Sequence, residues 1–232
     1  MARKNKRISK EEKMEVEEWI YQNNTEETRM TDTMTITVKC KTENQKTLVN
    51  AIKGKEIIIC SGPAGSGKTF LACAEALRLI KRNSKFKKII IVKSVTTLKN
   101  EEIGFLKGNL REKMEPFMFS FVHNFEKIVG QSITSRLREL KTIEEMPIAY
   151  MRGINLDRSI IIIDEAQNIS QDNIRTIMTR LGKDSKMIFL GDERQQDSKG
   201  GNGLTFLMKH FDNIEEIGCV QLTKSDVVRN PL

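Results

Sequence analysis

Eight consecutive residues, Gly62, Pro63, Ala64, Gly65, Ser66, Gly67, Lys68 and Thr69, fit the spacing GxxxxGK[ST]. Glycines at these places let the main chain curl until successive N–H groups point at one anion. A helix opening at Lys68 adds the positive end of its dipole. The chemistry this pattern serves is the grip on a nucleoside triphosphate. The backbone from Gly62 to Gly67 cradles the phosphates, Lys68 reaches the β- and γ-phosphates, and the Thr69 hydroxyl ligates Mg2+.

Two further sites follow. Ile160 to Ile163 form an apolar run that ends in Asp164 and Glu165. A buried strand there delivers both acids at its carboxyl end, where open α/β sheets bind ligands. Asp164 is placed to hold the metal, and Glu165 to orient or deprotonate an attacking water. A positioned glutamate favours hydrolysis over transfer to a substrate hydroxyl, a reaction that must keep water out. The third site is Gly191-Asp192-Glu193-Arg194-Gln195, after the apolar run 187–190. Gln195 is its candidate contact to the γ-phosphate or the lytic water. Gln45 has two readings that the sequence leaves open. Its amide can donate to and accept from one adenine edge, or it can complete a capping box with Thr42.

These residues need strands and helices to hold them. Short apolar runs at 56–60, 88–92, 159–163 and 186–190 alternate with helical stretches at 68–81, near 171–181 and after Gly203. Another helix runs from Thr42 to Gly54. This alternation predicts an α/β fold, a mostly parallel sheet with helices on both faces. Residues 100–156 are harder to read. Phe117, Phe119, Phe121 and Phe125 are expected in the core or a subunit interface. Residues 1–40 are expected to stand apart from a domain over 41–232. They begin as a basic arm, continue as a short helix over 11–22, and end in a strand over 33–40, where β-branched residues alternate.

Composition narrows the class. The 232 residues are 38% hydrophobic and 30% charged, with 39 Lys+Arg against 31 Asp+Glu, a net charge of +8. That balance excludes a largely disordered or low-complexity chain. It permits a polyanionic partner without showing one. No apolar run approaches the ~20 residues that cross a bilayer, so no membrane role is expected. The basic start runs into Glu11-Glu12-Lys13 and not an apolar stretch, so no secretory signal is expected. Four cysteines without a CxxC pair, and two histidines, argue against a disulfide scaffold or zinc site. Reduced thiols in a cytoplasmic protein are the expectation.

The segments GPAGSGKTFLACAEAL, GFLKGNLREKMEPF, IAYMRGINL, IIIIDEAQNIS, MTRLGKDSKMIFLGDERQQD and DVVRNPL resemble the PhoH-like (phosphate-starvation-inducible) ATPases. The order of the three phosphate-site motifs is similar to the first RecA-like domain of superfamily 1 helicases. The resemblance runs from about Gln45 to the C-terminus. It implies a RecA-like P-loop ATPase holding Mg-ATP at Lys68, Thr69, Asp164 and Glu165, with an activity directed at single-stranded RNA or DNA. Two departures stand out. Lys93-Ser94 replaces an Arg-Pro usual after the second core strand, and Arg229-Asn230-Pro231-Leu232 replaces an ending in His-Pro-Leu.

Superfamily 1 helicases close their ATP site between two such lobes, and this chain has room for one. An arginine finger at the γ-phosphate is worth ~10³–10⁵ in rate. If it comes from outside the lobe, it comes from another subunit, and head-to-tail contacts of that kind close only as rings. The expectation is a homo-oligomer, by resemblance a hexameric ring, with Arg229 the first candidate finger and Arg180 and Arg152 behind it. Lys93, Lys99, Lys107, Arg111 and Lys113, with Phe105, are the candidate nucleic-acid contacts. The alternative function is an ATP-gated assembly module that acts on a protein partner.

Overall fold

The structure, a computed structural model, describes residues 31–82, 85–93, 110–151, 153–195, 202–212 and 214–228; for residues 110–118 and Ala149 it describes the backbone only. In chain order the elements are α1 (Glu43–Gly54), β1 (Ile57–Ser61), α2 (Lys68–Arg82), β2 (Lys88–Lys93), α3 (Leu110–Val129) and α4 (Gln131–Glu139). Then come β3 (Ile143–Glu145), β4 (Ser159–Asp164), α5 (Gln171–Met178), β5 (Lys186–Gly191), α6 (Gly203–Phe211) and β6 (Ile217–Gln221).

Six strands form one sheet in the order β3-β2-β4-β5-β1-β6. Every pairing is parallel, as the uninterrupted apolar strands predict. The strands send alternate residues to two separate cores. Ile160 and Ile162 of β4 face the cluster under α1 to α4, with Ile58, Ile89 and Ile188. Ile161 and Ile163 face the cluster under α5 and α6, with Ile59, Ile90 and Phe189. Helices therefore cover both faces, and the α/β expectation holds. Parallel pairing also brings all strand carboxyl ends to one edge. Strand β5 lies between β1 and β4, so its last residues sit between the glycine-rich loop and the two acids.

Several elements differ from expectation. The β-branched segment 33–40 is not a strand. Residues 34–40 run without a sheet partner among the described residues. Helix α2 satisfies their carbonyls instead. Arg78 Nη2 donates to the carbonyls of Val38 at 2.5 Å and Ile36 at 3.3 Å, and Lys81 Nζ donates to those of Asp32 at 2.9 Å and Met34 at 2.6 Å. Long cationic side chains thus do the work of a neighbouring strand. Met34 is buried in the core and Ile36, Val38 and Cys40 pack against it, so this packing continues on the N-terminal side of residue 41. The helix expected over 11–22 and the basic arm lie outside the described residues. Strands β3 and β6 and helices α3 and α4 fall outside the elements expected from the sequence. Within the phenylalanine set, Phe121 and Phe125 are core residues, while Phe119 is 72% exposed and stacks on His123.

Candidate functional site

The glycine-rich loop leaves β1 and enters α2 at Lys68. Gly65 (φ 82°) and Gly67 (φ 86°) occupy the left-handed region that a side chain disfavours. A Cβ at Gly62 would stand 2.6 Å from the Cβ of Leu222, so this glycine is required by close packing. Lys68 is buried, and its Nζ donates to the carbonyls of Gly62 at 2.5 Å and Pro63 at 2.9 Å. Burial pulls its pKa down, an effect opposed by Cys60, Asp164, Asp192 and Glu165. The Ser66 hydroxyl ties the turn together, donating to the Pro63 carbonyl at 2.7 Å.

At the end of the loop, Thr69 Oγ1 lies 3.3 Å from Asp164 Oδ2. Burial, then the neighbouring Glu165 charge, pushes the Asp164 carboxyl up to about 6. A hydroxyl and a carboxylate are hard oxygen donors, and a carboxylate so destabilised gains from a cation beside it. The pair therefore fits Mg2+. Glu165 is strained: φ 56°, ψ 38° is left-handed backbone for a non-glycine residue, at a cost of order 1–3 kcal/mol. Its N–H donates to Asp164 Oδ1 at 3.1 Å. Its Oε2 accepts from Gln167 Nε2 at 2.7 Å, and Gln167 Oε1 accepts from the Asp192 N–H at 3.1 Å. Gln167 is 1% exposed. It locks the glutamate to the end of β5, and a Cβ on Gly191 would collide with the Gln167 side-chain Oε1.

Lys68, Thr69, Asp164, Glu165 and Gln195 all line one cavity of about 490 Å³. Ala64, Gly65, Gly67, Lys93, Asn124 and Lys127 line it as well. A parallel sheet has brought together residues far apart in sequence, with the loop, the acids and the β5 end on one edge.

A profile of the family described as PhoH-like protein matches residues 37–232. The chain belongs to the PhoH-like family. It is 39% identical over 197 residues to a PhoH-like protein of Bacillus subtilis, covering 84% of this chain and 61% of that protein. It is 32% identical over 199 residues to Protein PhoH of Escherichia coli K12, covering 84% of this chain and 56% of that one. This PhoH-like chain thus spans a little over half the length of those two relatives. Among solved structures it is similar to the Hef helicase domain of Pyrococcus furiosus, with TM-score 0.47, 14% identity and coverage of 79% and 38% of the two chains. It is also similar to the HK97 bacteriophage large terminase, with TM-score 0.46, 14% identity and coverage of 84% and 43%.

Not every expected residue of this PhoH-like chain reaches the cavity. Gln45 is 2% exposed and does not line it. Its Nε2 donates to the Ser66 carbonyl at 3.0 Å, and its Oε1 accepts from the Lys41 N–H at 2.7 Å. It braces the loop from behind. Thr42 caps α1 by accepting from the Gln45 N–H at 3.2 Å, but the amide reaches Lys41, so the reciprocal half of the capping box is not made. Arg180 is half-buried and its carbonyl accepts from the Leu156 N–H, before β4 begins. It therefore sits at the amino end of the sheet, away from its own chain's cavity. Arg229 and Arg152 lie outside the described residues, as do Lys99, Lys107 and Phe105, and the side chains of Arg111 and Lys113.

Two residues with a part in the site carried no signal of their own. Gln167 sits inside the DEAQ motif, where its spacing from Glu165 was the available clue. Asp226 is 1% exposed. It accepts from Thr42 Oγ1 at 2.5 Å, Asn44 Nδ2 at 2.9 Å and the Thr223 N–H at 2.7 Å. Two residues on, the Val228 N–H donates to the Gly65 carbonyl at 3.2 Å. The start of α1 and the segment after β6 thus clamp the loop from both sides.

Proposed function

We propose that this chain is a Mg2+-dependent ATPase that works as a homo-oligomer on single-stranded nucleic acid. The observation that carries the ATPase reading is Glu165, strained in its backbone, bonded by Gln167 and lining one cavity with the phosphate loop. A carboxylate fixed there has a use in hydrolysis that simple nucleotide storage lacks. The glycine-rich loop and the α2 N-terminus bind the phosphate chain. Lys68 gives up its contacts to Gly62 and Pro63 and turns to the β- and γ-phosphates. Thr69 and Asp164 hold Mg2+, which when bound offsets the charge between those phosphates. Glu165 takes the proton of the attacking water while the water oxygen bonds to the γ-phosphorus. The bond to the β,γ-bridging oxygen breaks and its electron pair leaves on ADP. Gln195 lies on the same cavity and contacts the γ-phosphate or the water.

The net charge of +8 supports a nucleic-acid partner. In the homo-oligomer of this reading, Arg229 of a second copy is the leading outside cation. Steady-state ATP turnover with and without single-stranded RNA and DNA, at low and high salt, tests the reading. Lys68→Ala is expected to lose nucleotide binding, and Glu165→Gln to bind ATP without hydrolysing it. Normal turnover by Glu165→Gln refutes the assigned base. Turnover indifferent to both nucleic acids favours a module acting on a protein partner. Full turnover by a sedimenting monomer removes the shared site.

A further inference from the structure

Lys93 ends β2 as the register partner of Asp164 on the adjacent strand. Its side chain is half-buried and lines the same cavity as Lys68, Thr69 and Glu165. Other lysines near the sheet have carboxylates: Lys88 pairs with Glu144 at 3.0 Å and Lys85 with Asp184 at 3.4 Å. No hydrogen bond or ion pair joins Lys93 to a described residue. Its charge acts on Asp164, as does that of Lys68. Holding an ammonium half out of water has a cost, and that cost falls when an anion enters beside it. The phosphate loop, the β4 end and Lys93 line one cavity, and Thr69 at the start of α2 lies 3.3 Å from Asp164. A phosphate chain held on the loop beside Asp164 lies in the cavity that Lys68 and Lys93 both line.

We propose that Lys93 is a catalytic residue that places a cation from within the chain on the terminal phosphate of the bound triphosphate. The proposal rests on the ATPase reading above and adds to it: part of the closing charge comes from the chain itself, and an outside arginine completes it. A lysine suits this place as a point charge, while the planar fork of an arginine is not required.

The test compares the full chain with Lys93→Ala and Lys93→Arg. Affinity for a non-hydrolysable ATP analogue and for ADP is measured with Mg2+, then ATP turnover without nucleic acid. Lys93→Ala is expected to weaken the triphosphate analogue about tenfold and slow turnover by ~10²-fold, with ADP affinity held within about twofold. Lys93→Arg is expected to restore most of both, and the unchanged ADP affinity reports an intact fold. Equal losses for ATP and ADP overturn the proposal. So does normal basal turnover with loss only of stimulation by single-stranded RNA or DNA, which makes Lys93 a strand contact. Failure of the underlying reading looks different: the unaltered chain hydrolyses no ATP, and the proposal falls with it.

Discussion

Asp226 offers a quantitative test of how the site is held together. Burial works to raise its carboxyl pKa. Hydrogen bonds from Asn44, Thr42 and both the N–H and hydroxyl of Thr223 overcome that and bring it to about 2, against an ordinary 3.8. The gap of about 1.8 pH units, at 1.36 kcal/mol per unit, makes ionised Asp226 worth on the order of 2 kcal/mol to the folded chain. The folded pKa is depressed, so this contribution is complete above the unfolded value, near pH 5 and higher. It fades as pH falls toward 2, with about half gone at pH 3. Asp226→Asn removes the charge and keeps the size. Urea unfolding of both proteins between pH 6 and pH 3 gives a difference in stability from which most other titrations cancel. That difference is expected to shrink by about 1 kcal/mol over the range. A difference that stays constant with pH would falsify the assignment of a charged, fully bonded Asp226. The variant is also expected to raise the KM for ATP, because Asp226 anchors the segment whose Val228 N–H holds Gly65.

Gln167→Ala removes one hydrogen bond to the Glu165 carboxylate, a contact of about 1.5–3 kcal/mol. It is expected to lower kcat by about 10–100-fold with KM changed less than twofold; a KM effect of equal size in steady-state turnover would make Gln167 part of nucleotide binding. Arg78→Ala strands Glu75, which is 1% exposed, and frees the carbonyls of Ile36 and Val38. A loss of about 3 kcal/mol and a Tm lower by about 6–12 °C are expected in calorimetry, with part recovered by the added change Glu75→Gln; no recovery argues that the carbonyl contacts dominate. Gly62→Ala is expected to destabilise by about 1–3 kcal/mol, and Leu222→Ala is expected not to rescue it, because the contacting atom is the Cβ that alanine keeps. Rescue in a urea titration argues against that close approach.

What could be read in advance divides by range along the chain. The loop from Gly62 to Thr69 and the Asp164-Glu165 pair are contiguous, and each carries its own strand and helix signals. Their elements appear within a residue or two of expectation: the predicted helix 68–81 is Lys68–Arg82 and the strand 159–163 is Ser159–Asp164. Gln45 was ambiguous for a physical reason. A buried amide that donates to the Ser66 carbonyl and accepts from the Lys41 N–H looks, in one dimension, the same as an amide waiting for a base. The segment 33–40 misled because alternation reports two faces, one wet and one dry, and not what satisfies the backbone. Its exposure does alternate, but the partners of its carbonyls are Arg78 and Lys81, about 40 residues away and readable only once α2 is in place. Asp226 was invisible for the same reason, since its bonds to Thr42 and Asn44 cross more than 180 residues. The chemistry of this site is therefore written locally, while its rigidity is written in long-range contacts to the loop's own backbone. If that division is right, changes at Gln45 and Asp226 alter how tightly nucleotide is held, whereas changes at Glu165 and Gln167 alter how fast it is cleaved.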